Sequence, residues 1–315
     1  MHRLLPLLFL LAAFTPAAAQ DRLKVVATIP DLSDIVRQVG GDRVDVVQLV
    51  APGNDPHAVI AKASMVLQVS RADGLVCMGL DYEHAFLPAV LEKVRKDHLR
   101  PGGDGYMEIG ERITALEVPE NLDRSLAVDI HPRGNPHFNL DPRHGVVMAE
   151  AVRDLLVRID PEHADDYRGR CREWVEEARF RIADWAKRMA PLRGSKVVTY
   201  HRSWSYFAEC YGLELAGEVE PKPGIAPSAR HLAELSRTMR EEGIRVVLME
   251  PWYNDRHVSR LSGDDVKVLR FATTVGATTA TRDYFSYHET LVSAMLAAFD
   301  VEDPGPASRA PEEES

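Results

Sequence analysis

The chain has 315 residues, 45% hydrophobic and 27% charged, a globular composition too apolar for a disordered chain. Its 38 Lys and Arg stand against 48 Asp and Glu, giving a formal net charge of −10 and excluding a binder of nucleic-acid backbones, which needs a basic face. Three cysteines without CxxC spacing (Cys77, Cys171, Cys210) exclude a disulfide scaffold and a thiolate metal site.

Taken in chain order, the first segment is a targeting signal. His2 and Arg3 precede an apolar run from Leu4 to Phe14, and Ala17-Ala18-Ala19 supplies the small residues of a cleavage site. The run is shorter than the ~20 residues of a membrane-spanning helix. The reading is a signal peptide over residues 1–19, with a soluble mature chain in the periplasm.

Residues 20–160 read as an α/β lobe. Leu23–Ile29, Val44–Val50 and Gly74–Met78 are short β-branched runs that predict buried strands, alternating with helical patterns over Leu32–Val39 and Ala63–Ser70. Such alternation implies parallel βαβ units. Residues 100–136 are rich in Gly, Pro and charge and read as loops around short strands; Pro142–Ile159 restores a helical pattern. Residues 161–190 predict one linking helix, with Tyr167, Cys171, Trp174, Val175, Ala178, Ile182 and Trp185 along its apolar face. Residues 191–301 form a second α/β lobe, with strands at Lys196–Tyr200, Leu213–Gly217, Val246–Met249 and Val266–Leu269 and helices at Leu232–Glu242 and Thr290–Phe299. Residues 302–315, acidic and Pro-rich, predict a disordered tail. No internal sequence repeat is visible.

Four positions carry candidate chemistry. His57 follows the second strand in PGNDPH, His137 lies in NPHFNLDP ahead of a helix, His201 follows the strand KVVTY, and Asp283 follows a strand-and-loop region near Ala277–Thr281. Open parallel sheets gather ligands at the carboxyl ends of their strands. Singly, a loop histidine is most often a surface or capping residue, and an Asp there is most often a helix N-cap. Together, three imidazoles and a carboxylate make a tetrahedral first shell for zinc. Spacings of 80, 64 and 82 residues exclude a local finger and require ligands assembled across both lobes. Asp55 and Asp141 are candidates to orient a ligand imidazole or to cap turns; Glu250 ends a strand facing the same mouth; Trp204 and Tyr206 pack around the His201 loop. His84 is expected at the surface, as are His288 and Glu289, the alternatives to Asp283.

The chain resembles the metal-ion solute-binding proteins of bacterial ABC importers, those that deliver zinc or manganese. The resemblance rests on PGNDPHAVIAKASMVLQVSRADGLVCMGLDYE, NPHFNLDP, VVTYHRSWSYFAECYGLE and IAPSARHLAELSRTMREEGIRVVLMEP, in that order over nearly all the mature chain. It implies two parallel-sheet α/β lobes joined by one long backbone helix. It also implies a metal site of His57, His137, His201 and Asp283, with an inner-membrane ABC permease as partner and a monomeric state. Two departures stand out. The stretch of about residues 115–134, where zinc-dedicated relatives carry a His-rich loop, holds only His131 with Glu117, Glu120, Asp123 and Asp129. Around Asp283 the chain reads Arg-Asp-Tyr-Phe in place of Asp-Pro-Leu.

Imidazoles with one carboxylate favour Zn²⁺ over hard ions such as Mg²⁺ or Ca²⁺. His201 stands where manganese-preferring relatives have Glu, which leaves zinc ahead of Mn²⁺. A secreted zinc hydrolase is the alternative class, but it needs an open coordination position and a general base such as the Glu of HExxH, a motif the chain lacks. The expectation is a non-catalytic carrier.

Overall fold

The computed structural model describes residues 22–119, 131–222, 224–261 and 265–308. The signal segment, Glu120, Asp123 and Asp129, and the last residues of the acidic tail lie outside this set.

The first lobe is built from β1 (Leu23–Ala27), α1 (Pro30–Gly40), β2 (Val44–Gln48), α2 (Ala63–Ser70), β3 (Gly74–Cys77), α3 (Leu87–Lys93), β4 (Tyr106–Glu108) and α4 (Pro142–Ile159). Its four strands are parallel in the order β2-β1-β3-β4. Val25, Val26, Leu75 and Val76 are fully buried, as expected for strands covered by helices on both faces. α1 starts with Pro30 in its first turn, where a missing N–H costs nothing, and ends at the Gly40-Gly41 pair, with Gly41 at φ +59°.

The chain then enters α5 (Ala164–Met189), 26 residues or roughly 39 Å at ~1.5 Å per residue. Asp165 and Asp166 lie in its first turn and Lys187 and Arg188 in its last, each sign facing the opposite end of the helix dipole. The second lobe comprises β5 (Lys196–Thr199), α6 (Ser205–Tyr211), β6 (Glu214–Glu218), α7 (Ala229–Glu241), β7 (Val246–Met249), α8 (Asp255–Val258), β8 (Lys267–Arg270) and α9 (Tyr284–Ala298). Its strands are also parallel, in the order β6-β5-β7-β8. The two sheets therefore repeat one topology, although the sequence shows no repeat.

α5 is fixed to both halves. It packs on α1 and α4 and on α9. Trp174 stacks on Phe285 at 4.9 Å between ring centres, and the Trp185 indole N–H donates to Glu289 at 2.8 Å. Arg188, buried, donates to Glu289 at 2.7 Å and to both Asp303 oxygens at 2.9 and 2.8 Å. The expected free tail is thus tied down at Asp303: a desolvated guanidinium needs these carboxylates. One apolar core runs without a break from Val25 and Val76 of the first sheet through Trp174 and Trp185 to Val197 and Leu248 of the second. Between the lobes, buried Asp31 of α1 accepts from Asn139 Nδ2 at 3.0 Å and from the Val275 amide at 3.2 Å; the same Asn139 nitrogen donates to the Thr273 carbonyl at 2.7 Å.

α3 and β4 fall where the sequence shows no strong period. No strand forms over 277–281; a 3₁₀ turn occupies Thr279–Thr281 instead. Cys77 and Cys171 are buried free thiols, and Cys210 is also free. Among the described residues, no helix is long and apolar enough to cross a membrane.

Candidate metal centre

The site lies at the carboxyl ends of the strands, where the two sheets face each other. β2 runs into a loop that closes in the 3₁₀ turn Pro56–Ala58; the Asp55 carboxylate caps it by accepting from the His57 amide at 3.0 Å. His137 precedes the 3₁₀ turn Phe138–Leu140, from which α4 starts at Pro142. His201 sits two residues beyond the end of β5. Two lobes and three loops thus bring His57, His137 and His201 together, with one potential ligand atom from each lying within 4.8 Å of the other two. His57 Nε2 and His137 Nε2 are 3.0 Å apart. The ring centres are 5.1 Å apart for His57–His137, 5.6 Å for His137–His201 and 6.2 Å for His57–His201.

Neighbouring acceptors select the tautomers of two rings. His137 Nδ1 lies 3.0 Å from Asn135 Oδ1, an oxygen that also accepts from the His137 amide at 3.0 Å. An amide oxygen can only accept, so the proton sits on Nδ1 and the Nε2 lone pair faces the cluster. His201 Nδ1 lies 2.7 Å from Glu220 Oε2, which imposes the same choice on His201. Asn135 is itself held: its amide donates to Glu117 at 2.9 Å and to the Arg202 carbonyl at 2.8 Å, while Tyr206 donates to the Asn135 carbonyl at 2.8 Å. Outer partners of this kind orient imidazoles and raise their basicity where a metal is bound.

The electrostatics keep two of the imidazoles neutral. Desolvation holds His57 and His137 well below the usual histidine pKa, and the neighbouring imidazoles push in the same direction. Neutral rings are the form a cation binds. Beneath them, burial raises Glu250 to about 7, opposed by nearby His201 and by a hydrogen bond that Trp204 donates at 3.1 Å.

Asp283 lies at the start of the last helix. It does not join the three histidines. It is the N-cap of α9, accepting from the Ser286 amide at 2.8 Å while Ser286 Oγ accepts from the Asp283 amide at 3.0 Å, and its other oxygen pairs with Arg282 at 3.2 Å. α9 therefore begins at Tyr284, earlier than the sequence suggests, and this turns His288 inward. His288 is buried against Trp185, Tyr284 and Tyr287, and Glu289 binds Trp185 and Arg188; neither is the surface residue expected. Asp141 caps α4 and chelates the Arg143 guanidinium, so the orienting roles fall to Asn135 and Glu220, which sequence reasoning missed. The available signals were an Asn two residues before His137 and a Glu just beyond a strand end.

Two further imidazoles meet the cluster. His131 has its ring centre 5.0 Å from that of His57 and 6.1 Å from that of His137. His84, exposed, stacks on His57 at 5.6 Å and meets the His131 ring at 5.7 Å.

Comparison with known proteins agrees with this architecture. The zinc-binding lipoprotein AdcA of Streptococcus pneumoniae is 25% identical over 305 residues, covering 94% of this chain and 60% of AdcA. The chain thus spans about three-fifths of the AdcA proteins it matches. The manganese-binding lipoprotein MntA of Bacillus subtilis is 23% identical over 250 residues, covering 77% of this chain and 75% of MntA. A crystal structure of ZnuA superposes with a TM-score of 0.72 at 23% identity, covering 88% of this chain and 99% of ZnuA, and has the same fold. Residues 25–298 match the family described as ZnuA, zinc-uptake complex component A, periplasmic, and the chain belongs to that family.

Proposed function

We propose that this protein is the periplasmic zinc-binding component of an ABC-type metal importer. Exported by the leader at residues 1–19, it captures Zn²⁺ between lobes 20–160 and 191–301, linked by residues 161–190, and delivers the ion to an inner-membrane permease. The carrying observation is the convergence of His57, His137 and His201, two of them held by outer acceptors with the Nε2 lone pair directed inward. Ion and histidines have matching softness: imidazole suits zinc better than it suits manganese or other hard ions. The names of the relatives AdcA and ZnuA point the same way. The protein acts as a carrier and not as an enzyme, because buried imidazoles around the ion serve retention, whereas hydrolysis needs a bound water beside a general base.

The test is a zinc-competition titration of the mature chain beside a variant with His57, His137 and His201 replaced by Ala. The expected result is one tightly held zinc per wild-type chain and none in the variant. A triple variant that keeps a tight zinc, or a wild type that prefers manganese, would contradict the reading.

A further inference from the structure

We propose that His131 supplies the fourth ligand to the ion, giving a shell of four imidazoles in place of three imidazoles and a carboxylate. This rests on the zinc-site reading above and deepens it.

The argument starts from spacing. A zinc-bound imidazole has Zn–N of about 2.0–2.1 Å, which puts ring centres about 3.2 Å from the ion and, at tetrahedral angles, about 5.2 Å from one another. The three convergent rings are 5.1, 5.6 and 6.2 Å apart. His131 stands 5.0 Å from His57 and 6.1 Å from His137, spacings comparable to these. Its nitrogens are not among those already within 4.8 Å of one another, so binding turns the His131 side chain inward. His131 as a residue is half-buried, with both ring nitrogens turned out of solvent. His84 lies on the outer side, stacked on His57 and edge-on to His131, and forms a wall there.

Two carboxylates near the site have other engagements. Asp283 caps α9. Glu220 meets His201 at Nδ1, the nitrogen turned away from the cluster. Glu250 accepts from Trp204 at Oε1 only, and its buried Oε2 has no hydrogen-bond partner among the described residues. His131 is also the residue that the segment ahead of His137 delivers to the mouth of the site, where it opens the turn at Pro132–Arg133, its carbonyl accepting from the Gly134 amide at 3.0 Å. A shell of four neutral imidazoles binds zinc in preference to Mn²⁺, whose ligands of choice are carboxylates, carbonyls and water.

The experiment is zinc X-ray absorption on the loaded mature chain, combined with competition titrations of zinc and manganese, for wild type, His131→Gln, His131→Asp and His84→Gln. Thermal melting of each metal-free variant confirms that it folds. The expected result is four imidazoles in wild type and in His84→Gln. In His131→Gln we expect three imidazoles and one oxygen, with zinc affinity lower by at least about tenfold, the scale at which even outer partners of ligands register. His131→Asp should shift the zinc-to-manganese preference toward manganese. Three imidazoles with an oxygen in wild type, from Asp55 or water, would overturn the proposal, as would an unchanged spectrum and affinity in His131→Gln. A wild type that holds no zinc would instead overturn the parent reading.

Discussion

Replacing Glu220 by Ala removes the acceptor behind His201 without touching the face that meets the ion. The Glu220 carboxylate lies 2.7 Å from His201 Nδ1, with side-chain exposures of only 8% and 5%, so water does not readily substitute for it. A hydrogen bond to a charged group contributes about 1.5–3 kcal/mol net. Part of that is present in the empty site. The remainder appears on loading, because a bound cation makes the Nδ1–H more acidic and strengthens its bond to the carboxylate. Loss of such an outer partner costs about 10–100-fold in metal affinity. Glu220→Ala should therefore weaken zinc binding by that factor, and Glu220→Gln, which keeps an uncharged acceptor, should lie between. A competition titration against a fluorescent chelator at neutral pH reads the effect; circular dichroism checks the fold. An unchanged affinity in Glu220→Ala, alongside lost binding in His201→Ala, would refute the orienting role.

Four other outcomes follow from the same structure. Because desolvation holds His57 and His137 well below their ordinary pKa of about 6.5, protons compete with the ion at these two rings only well below that value, and neither should lose zinc as pH falls from neutral to their ordinary pKa, as a zinc titration across acid pH on a His201→Ala background would show. The same depression means the unfolded chain takes up protons that the folded one refuses, so the stability of the metal-free protein should fall as pH drops below about 6.5; denaturant midpoints that rise instead would contradict it. Zinc at about 100 times its Kd should stabilise the fold by about 2.7 kcal/mol, visible as a raised Tm in wild type and absent in the triple histidine variant. Gly145→Ala would place a Cβ 2.6 Å from the Tyr284 ring, where α4 meets α9, so overpacking should cost about 1–3 kcal/mol in chemical denaturation.

Helices and strands with strong periods were legible in the chain. Pro142–Ile159 and Val246–Met249 have the bounds their patterns predict, and the apolar face read along α5 is the buried one, with Ile182 only half-buried. The three histidines were legible because each sits beside a turn-forming dipeptide or a strand end, and together they made one chemical hypothesis. β4 is only three residues long and lies among Gly and charge, so pairing with β3, not local pattern, creates it. Asp283 carries a second signal in the sequence. Asp-x-x-Ser ahead of an apolar run is a capping box, and reading it so would have started α9 at Tyr284 and turned His288 inward. The places of His84 and His131 were not legible. Their rings meet His57 across chain separations that no local period records.

The unbroken core through α5 also bears on motion. Opening the lobes widely would expose Trp174, Tyr284 and the Asp31–Asn139–Val275 connection, so the metal-free and loaded forms should differ by a small tilt and loop shifts. A large change in radius of gyration by solution scattering would contradict that.

The central claim is that one cation binds where His57, His137 and His201 converge. Diffraction from zinc-loaded crystals, collected on either side of the zinc absorption edge, tests it most directly. The account predicts a single strong anomalous peak about 2.0–2.1 Å from the Nε2 atoms of these three residues and none beside Asp283. A peak at another group, or none between these rings at full zinc loading, would contradict it.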